Sequence, residues 1–250
     1  MTKILLSGCC GKMGRTVTNI VNTRDDCQIV AGVDIVEDST LGYPVFQTFS
    51  EVQVKADVIV DFSNPALLLS MLEYAKSTNT AVVISTTGLS DEQIKTVEEF
   101  SREIPVFFSY NMSMGVSLLC ELCKTTAKVL GNDFDIEIVE AHHNQKLDAP
   151  SGTAIMLADA IKEEIPEVFY EYDRHSKRQK RNEKEIGIHS IRGGNIVGEH
   201  NIFFFGQYET LEIKHSALSR DLFAEGALKA AEFLLGQQPG FYNMDDMISM

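Results

Sequence analysis

Residues 3–14 read KILLSGCCGKMG, an apolar run that leads directly into a glycine-rich turn. The apolar part, from Lys3 to Ser7, predicts a β-strand, and the spacing of valine and isoleucine after the turn predicts a helix from about Met13 to Thr23. A strand, a glycine turn and a helix in this order are typical of the first unit of a doubly wound α/β fold that binds dinucleotides. This stretch therefore indicates a parallel sheet covered by helices.

The three glycines of the turn have separate structural reasons. Gly8 permits the tight turn, Gly11 lets the backbone approach a pyrophosphate, and Gly14 allows close packing of helix and strand. A second strand is predicted over 28–33 and ends at Asp34, about 20 residues after the turn, where this fold places a carboxylate on a ribose. The candidate dinucleotide ligands of this region are Gly8, Cys9, Cys10, Gly11, Lys12, Met13, Gly14 and Asp34.

The alternation of strand and helix continues through the first part of the chain. Apolar runs at 56–60, 81–84 and 106–108 predict strands, while a helix begins at Pro65 and another is capped by Ser90. This rhythm predicts a parallel, doubly wound (Rossmann) sheet. Ligands of such sheets bind beyond the carboxyl ends of the strands, so the polar residues that follow these strands should meet at one edge.

The pattern changes after Leu130. Further strands are predicted over 134–139, 186–191, 196–205 and 211–215. Further helices are predicted over 116–130, 151–165 and 219–235, the last two capped by Ser151 and Ser219. We therefore expect an α/β protein whose Rossmann sheet is joined to a second, α+β domain with an open mixed sheet.

Residues 140–153, EAHHNQKLDAPSGT, form the most chemically distinctive segment. His142 and His143 can exchange protons near neutral pH, and Lys146 adds a fixed cation. Ser151, Gly152 and Thr153 stand at a predicted helix start, where free backbone N–H groups bind anions. The grouping suits a small carboxylated substrate that must be protonated. The alternative is a structural histidine pair beside an ordinary helix cap.

The composition argues against several function classes. A formal net charge of −14 disfavours general binding to nucleic acid or to anionic membranes. No apolar run approaches the roughly 20 residues of a membrane helix, and no signal peptide precedes the first strand, so we expect a cytoplasmic protein. The basic stretch 171–185 has acids at both ends, which favours a solvated, mobile loop over a nucleic-acid patch.

The five cysteines show no disulfide framework. Cys120 and Cys123 form a C-x-x-C pair inside a predicted apolar helix, where core-facing thiols are expected, and no second cluster at metal-site spacing completes it. We therefore expect no metal site.

The segment from Glu140 onward also carries a resemblance. The residues 140–143, Lys146, Asp148 and 150–153 resemble the signature of the 4-hydroxy-tetrahydrodipicolinate reductase family, the dihydrodipicolinate reductases of lysine and diaminopimelate biosynthesis. The resemblance extends over nearly the whole chain and includes the G-x-x-G-x-x-G spacing of the first turn.

The chain departs from the family pattern at two places. Cys9 and Cys10 stand where the family tends to carry smaller residues, and Ser85 stands where it usually has glycine. A helix N-terminus lowers the pKa of a thiol, so reactive cysteines are conceivable in the turn. Simple tolerance of a slightly larger side chain is the favoured interpretation.

The resemblance implies an oxidoreductase that reduces a cyclic imine dicarboxylate with NADH or NADPH. It implies His142 as the general acid, assisted by Lys146. His143, Ser151, Gly152 and Thr153 would then bind the substrate carboxylates. The nicotinamide half of the cofactor would be lined by Ser85, Thr86, Thr87, Ser109, Tyr110, Asn111 and Met112.

The resemblance also implies a division of labour between two domains. Residues 1–113 and 219–250 would form a discontinuous dinucleotide-binding domain. Residues 114–218 would bind the substrate and assemble a homotetramer through the sheet, to which the apolar run 203–205 contributes.

The acid at position 34 bears on the choice of cofactor. A carboxylate accepts hydrogen bonds from a ribose 2′-hydroxyl and repels a 2′-phosphate. Ile35 and Val36 follow it, where an arginine would favour the phosphate. We predict that NADH is used at least as well as NADPH, with Lys12 or Arg15 as the cations that could still bind a phosphate.

Three other functions stay open. One is a different nicotinamide-dependent oxidoreductase with a related two-domain build, such as a diaminopimelate dehydrogenase or an aspartate-semialdehyde-type enzyme. The latter would need a catalytic cysteine at the active edge, and Cys120 and Cys123 are wrongly placed for it. The others are a non-catalytic dinucleotide sensor and a structural subunit. Both leave His142, His143 and Lys146 without a purpose.

Overall fold

A computed structural model describes residues 1–248 of the chain. Contacts between residues divide it into two compact units, one formed by 1–113 with the C-terminal segment from Asp221, the other by Met114–Arg220. Each unit has its own sheet and its own hydrophobic core. Residues 249–250 of the predicted first domain lie outside the described part.

Residues 1–248 form strands and helices that are numbered here in chain order. The strands are β1 (Thr2–Ser7), β2 (Cys27–Val33), β3 (Val45–Phe46), β4 (Val58–Asp61), β5 (Ala81–Ile84), β6 (Pro105–Phe108), β7 (Asp135–His142), β8 (Phe169–Glu171), β9 (Glu185–Arg192), β10 (Gly198–Phe205), β11 (Thr210–Ala217) and β12 (Gly240–Tyr242). The helices are α1 (Lys12–Val21), α2 (Leu68–Thr78), α3 (Asp91–Ser101), α4 (Met114–Leu130), α5 (Gly152–Glu164), α6 (Asp221–Leu234) and α7 (Met244–Ile248).

The sheet of the first unit is parallel, with the strand order β12-β6-β5-β4-β1-β2-β3. Every residue of β4 and β5 is buried, which is the continuous apolar pattern of strands covered on both faces. The chain runs outward from β1 to β3 and then returns to β4 beside β1. This switch point places the turn after β1 next to the loop after β4, where α/β sheets bind ligands. The predicted Rossmann sheet is confirmed.

The helix starts of the first unit follow their capping residues. The Ser90 hydroxyl accepts the Gln93 N–H at 3.3 Å and begins α3, as predicted. The predicted helix start at Pro65 is instead a short 3₁₀ turn, and α2 follows it. Helix α6 begins at Asp221, two residues after the predicted start.

The sheet of the second unit is mixed, with the order β11-β10-β7-β9-β8. β10 is antiparallel to both of its neighbours, whereas β7, β9 and β8 are parallel. Residues from α4 and α5, such as Cys123 and Leu157, share a core with Ile138 of β7 and Ile202 of β10. Cys123 is therefore a core thiol, as expected, and burial raises its pKa to about 12.

The strand that leads to the distinctive segment is longer than predicted. The prediction ended it at Val139, but β7 continues to His142. Side chains alternate along a strand, so Glu140 and His142 share the buried face with Ile136 and Ile138. The polarity of the two residues suggested a loop, but partners within the fold satisfy both of them.

The apolar run 203–205 does not form one surface. Phe204 is fully buried in the core, whereas Phe203 and Phe205 lie on the opposite face and stack with ring centroids 5.4 Å apart.

Ion pairs hold side chains of the basic loop before β9. Arg181, for example, bonds Asp135 at 2.7 Å and Glu137 at 3.0 Å, and its side chain is only 17 % exposed, so this arginine is not a solvated side chain.

Candidate functional site

The turn after β1 requires glycine at two positions. Gly8 has φ +77°, and a Cβ there would lie 2.5 Å from the Phe62 carbonyl oxygen. A Cβ on Gly14 would lie 2.2 Å from the Gly8 carbonyl oxygen. The first residue turns the chain, as predicted, while the second packs α1 against the turn itself.

The start of α1 offers positive groups to an anion. Gly11 is its N-cap and supplies no side-chain hydrogen bond, and the first turn contains no acid. The Asp34 carboxylate stands beside this helix start, where it accepts N–H groups from Cys10 at 2.9 Å and Val36 at 3.2 Å. An uncapped helix start next to a fixed carboxylate fits the pyrophosphate and ribose of a dinucleotide.

The side chains of the two cysteines in the turn lie in different surroundings. Cys9 is fully buried, and its sulfur fills the space beside Gly32, where a Cβ would lie 2.4 Å from it. The Cys10 sulfur lies 3.2 Å from the Val36 carbonyl oxygen and 3.9 Å from the Cys9 sulfur. Burial raises the pKa of both thiols, that of Cys9 to about 12. Cys9 is therefore a packing residue, and its raised pKa keeps the thiol in the protonated, unreactive form.

A cleft of about 360 Å³ lies at the carboxyl edge of the first sheet. It brings together six of the predicted cofactor residues: Met13, Ser85, Thr86, Thr87, Tyr110 and Met112. Phe62, Ser63 and Phe223 complete its lining and were not predicted. Phe62 and Ser63 directly follow β4, so they could have been predicted, because ligands bind beyond the carboxyl ends of parallel strands. Phe223 lies on α6, and nothing in the sequence around it indicates a place in the cleft.

Asp61 joins two loops of the cleft. Its carboxylate accepts the Thr86 hydroxyl at 2.6 Å and the Ser63 N–H at 3.2 Å. Burial raises the pKa of Asp61 above its ordinary value. The buried Ser85 hydroxyl has no hydrogen-bond partner among the described residues. An orphaned polar atom in a cleft with a mixed lining fits a polar ring such as a nicotinamide amide.

The segment after β6 is a tight turn. The Ser109 hydroxyl donates to the Asn111 carbonyl oxygen at 2.8 Å and accepts the Asn111 N–H at 3.2 Å. This turn presents the Tyr110 ring, which is half exposed and packs edge-on against Phe108 at 4.8 Å.

The second unit contains a buried polar network around Glu140. The Glu140 carboxylate lies 2.6 Å from His142 Nδ1 and accepts two bonds from Arg192, at 2.7 and 2.8 Å. It also accepts the Ser151 N–H at 3.1 Å. Glu140 is fully buried and His142 is 8 % exposed, so the network is held in place by the core.

The network fixes the ionisation of its members. Burial alone would raise the pKa of Glu140, but hydrogen bonds from Arg192, Ser190 and His142 bring it to about 2. Burial lowers the pKa of His142, and the Glu140 carboxylate opposes this shift. Because the anionic Glu140 accepts a hydrogen bond from Nδ1–H, the proton on Nδ1 stays in place, and Nε2 is the atom of His142 that can gain and lose a proton.

His143 and Lys146 lie on the more exposed side of this segment. His143 Nδ1 accepts the Gln145 N–H at 3.2 Å, and His143 Nε2 is 3.5 Å from Arg220 Nη2. Lys146 Nζ is 2.9 Å from Asp148 Oδ1. Arg220 was not predicted, because a single arginine before a helix carries no motif.

Residues 151–153 begin α5 as predicted, but the Ser151 N–H is not free. Ser151 is 1 % exposed, its N–H donates to Glu140, and its hydroxyl accepts the Ala154 N–H at 3.2 Å. The same hydroxyl is 3.1 Å from His200 Nε2. Gly152 is exposed, and a Cβ there would meet nothing within 4 Å.

His200 is the unexpected neighbour of the network. It is 3 % exposed, its ring lies 5.3 Å from that of His142, and burial lowers its pKa to about 4. It is a strand residue of β10, and its structural partner is Ser151. The register of β10 places it opposite Glu140, which local sequence could not reveal.

Comparisons with known proteins cover nearly the whole chain. Family models for the N-terminus and the C-terminus of dihydrodipicolinate reductase match residues 2–112 and 115–248. The 4-hydroxy-tetrahydrodipicolinate reductase of Clostridium novyi (strain NT) is 49 % identical over 248 residues, covering 99 % of this chain and 98 % of that protein. The enzyme of the same name from Caldanaerobacter subterraneus subsp. tengcongensis is 50 % identical over 249 residues, with 99 % and 98 % coverage.

A solved structure gives the same result. Dipicolinate-bound dihydrodipicolinate reductase from Paenisporosarcina sp. TG-14 matches with a TM-score of 0.83 and 25 % identity, covering 99 % of each chain. Among the described residues, no helix is long and apolar enough to cross a membrane.

Proposed function

The chain belongs to the dihydrodipicolinate reductase family, and we propose that it reduces 4-hydroxy-tetrahydrodipicolinate to tetrahydrodipicolinate with loss of water. This family and the Rossmann fold imply an oxidoreductase of lysine and diaminopimelate biosynthesis with a nicotinamide dinucleotide cofactor. The observation that carries the proposal is the buried Glu140–His142 pair, because it holds a proton donor at a fixed place.

His142 is the general acid of the proposed reaction. Glu140 fixes the proton on Nδ1 and stabilises the imidazolium, so Nε2 can donate to the substrate nitrogen. Nε2 lies against Gly198, where a Cβ would be only 3.1 Å away, so a side chain at this position would crowd the proton donor. Arg192 balances the charge of Glu140, and the bound dihydronicotinamide supplies the hydride.

The substrate carboxylates are bound by two groups of donors. His143 Nε2 and Arg220 Nη2 lie side by side at 3.5 Å, and two donors with no acceptor between them favour an anion. Gly152 and Thr153 at the start of α5 bind the other carboxylate. Lys146 assists protonation and stabilises developing negative charge. Ser151 supports Glu140 and His200, since its own donors are engaged in the fold.

The first unit holds the cofactor. Backbone N–H groups at Lys12 and Met13 bind the pyrophosphate, whereas the Gly11 N–H donates to the Gly8 carbonyl oxygen and closes the turn. Asp34 binds the adenosine ribose. The cleft that contains Ser85–Thr87 and Tyr110–Met112 receives the nicotinamide. Because a carboxylate repels a 2′-phosphate, NADH is used at least as well as NADPH.

Assembly and location are further parts of the proposal. The stacked Phe203 and Phe205 form a small, partly exposed apolar patch on the second sheet, between Glu137 of β7 and Glu212 of β11. We place the interface of a homotetramer on this face. A cytoplasmic location accords with the biosynthetic role of the family.

One coupled assay tests this function. Pyruvate and aspartate semialdehyde are condensed by the preceding synthase, and loss of NADH or NADPH absorbance is followed after this protein is added. We expect turnover that requires both precursors, with a kcat/KM for NADH at least equal to that for NADPH. Dinucleotide binding without turnover would indicate the sensor function, and a strong preference for NADPH would overturn the assignment of Asp34.

A further inference from the structure

An ion pair lies beside the predicted ribose site. Arg15 Nη2 donates to Asp38 Oδ2 at 2.6 Å, and Arg15 Nε donates to the Cys10 carbonyl oxygen at 3.2 Å. Cys10 is also the residue whose N–H donates to Asp34 at 2.9 Å. Arg15 and Asp34 therefore bond to the same residue of the glycine turn, one through its carbonyl and the other through its N–H.

Asp38 is itself held in place. Its Oδ1 accepts the N–H and the hydroxyl of Thr40, at 2.8 and 2.6 Å. These two bonds, with those from Arg15, lower the pKa of Asp38 to about 2, so the carboxylate is charged at any physiological pH. The carboxylate is only 16 % exposed, whereas the Arg15 side chain is 50 % exposed. The fixed partner of the pair is the acid.

The residues between Asp34 and Asp38 offer nothing else to a phosphate. Ile35 and Val36 are exposed apolar residues, 79 % and 55 % accessible, and Glu37 is an acid. Arg15 is thus the guanidinium near this end of the turn that could bind a phosphate, but it already forms an ion pair with Asp38. A 2′-phosphate would have to displace a carboxylate that is anchored by Thr40.

We propose that Asp38 is a specificity-determining residue that favours NADH by withholding Arg15 from the 2′-phosphate of NADPH. The inference rests on the proposed function, since it concerns the cofactor of that reaction. Asp34 repels the phosphate directly, and Asp38 engages Arg15, which with Lys12 is one of the two cations that could otherwise compensate. Neither residue touches the reacting atoms.

The test is a double-mutant cycle with both cofactors. Asp38→Asn removes the charge but leaves an oxygen that can accept from Thr40, so the turn should fold. We expect kcat/KM with NADPH to rise about tenfold or more, which corresponds to about 1.4 kcal/mol. With NADH it should change less than about threefold. The gain should shrink in high salt, since exposed charges are screened.

Two further variants separate a specific effect from general charge. In Asp38→Asn/Arg15→Ala the gain with NADPH should disappear, because the released cation is missing. Glu37→Gln removes a neighbouring acid that accepts a hydrogen bond from Gln47 at 3.3 Å, and it should give little gain. An equal gain in Glu37→Gln, or a gain that survives Arg15→Ala, would overturn the proposal.

The outcomes also separate this inference from the function itself. A wild-type protein without turnover of either NADH or NADPH contradicts the proposed function. A wild-type protein that prefers NADH, together with an Asp38→Asn variant whose ratio of kcat/KM values is unchanged, contradicts only the role of Asp38.

Discussion

Two arginine–carboxylate pairs lie in the two units and differ chiefly in their exposure. In the first unit, Arg15 and Asp38 are 50 % and 16 % exposed. In the second, Arg192 and Glu140 are 19 % and 0 % exposed, and Arg192 makes two bonds to the carboxylate. The same kind of ion pair is therefore partly exposed to solvent in the first unit and largely buried in the second.

The difference in exposure sets what each pair can do. An exposed pair contributes little to folding, so its charges can be changed to select a cofactor at small cost. A buried pair cannot lose one member without leaving an uncompensated charge, so it suits a group whose position must not change. The residues proposed to select the cofactor thus lie at the surface, whereas those that hold the proton donor lie in the core.

The largest expected effect comes from removing the proton donor of the buried network. In His142→Gln we expect kcat to fall by about 10²–10⁴, the usual loss for a general acid. The dissociation constant of NADH, measured by fluorescence titration, should barely change, since His142 belongs to the second unit. A kcat near that of the wild type would remove His142 from its role.

The second prediction removes the carboxylate behind His142. Glu140→Gln leaves the partly buried Arg192 without its anion, so the free energy of unfolding should fall in urea titrations, by at most about 3–5 kcal/mol. Glu137→Gln is the matched control, since Glu137 lies on the same strand with Arg181 and His189 as partners but is less buried. Equal losses in the two variants would contradict the special position of Glu140.

A third prediction concerns stability at acidic pH. The pKa of His200 lies at about 4 in the fold and near 6.5 when unfolded, so the unfolded chain binds its proton first. Stability from this residue is therefore full above pH 6.5 and is lost as pH falls towards 4. The loss is at most about 3 kcal/mol, at roughly 1.4 kcal/mol per pH unit.

Urea titrations at several pH values measure this loss. His200→Gln should flatten the profile between pH 6.5 and 4, and the exposed His175→Gln should leave it as in the wild type. A steep profile that persists in His200→Gln would assign the acid sensitivity elsewhere.

The smallest expected effect lies at the exposed pair. Arg15→Ala alone should change the KM for NADH by less than about threefold, because exposed ion pairs are worth only about 0–1 kcal/mol. Thermal unfolding should shift little for the same reason. A large loss of stability in this variant would remove the contrast between the two pairs.

Much of the first unit could be predicted from local sequence. The glycine turn, Asp34 and the strand-end loops follow from chain periodicity, because a parallel sheet brings all strand ends to one edge. The second sheet was harder, because its central strand β7 carries Glu140 and His142 on its buried face. Polar residues of this kind predict a loop unless their partners are known.

Those partners come from distant parts of the chain. Arg192 and His200 reach Glu140 and Ser151 from β9 and β10, through strand pairing that no local pattern reveals. The family resemblance predicts the groups that bind and protonate the substrate, but it gives no role to Arg192 or His200, which hold them in place. Phe223 is a similar case, since it enters the cleft from a helix more than a hundred residues beyond the strands that form the edge.

The pH dependence of kcat/KM for the imine substrate, at saturating NADH, tests most directly whether Glu140 holds His142 as the proton donor. A general acid must be protonated, so the wild-type value should fall as pH rises through the pKa of His142, which burial lowers below its usual value. Loss of the Glu140 charge removes the influence that opposes this lowering. In Glu140→Gln the fall should therefore move to lower pH, Glu140→Asp should restore it in part, and His142→Gln should lack it. A fall at the same pH in all four proteins would contradict the assignment.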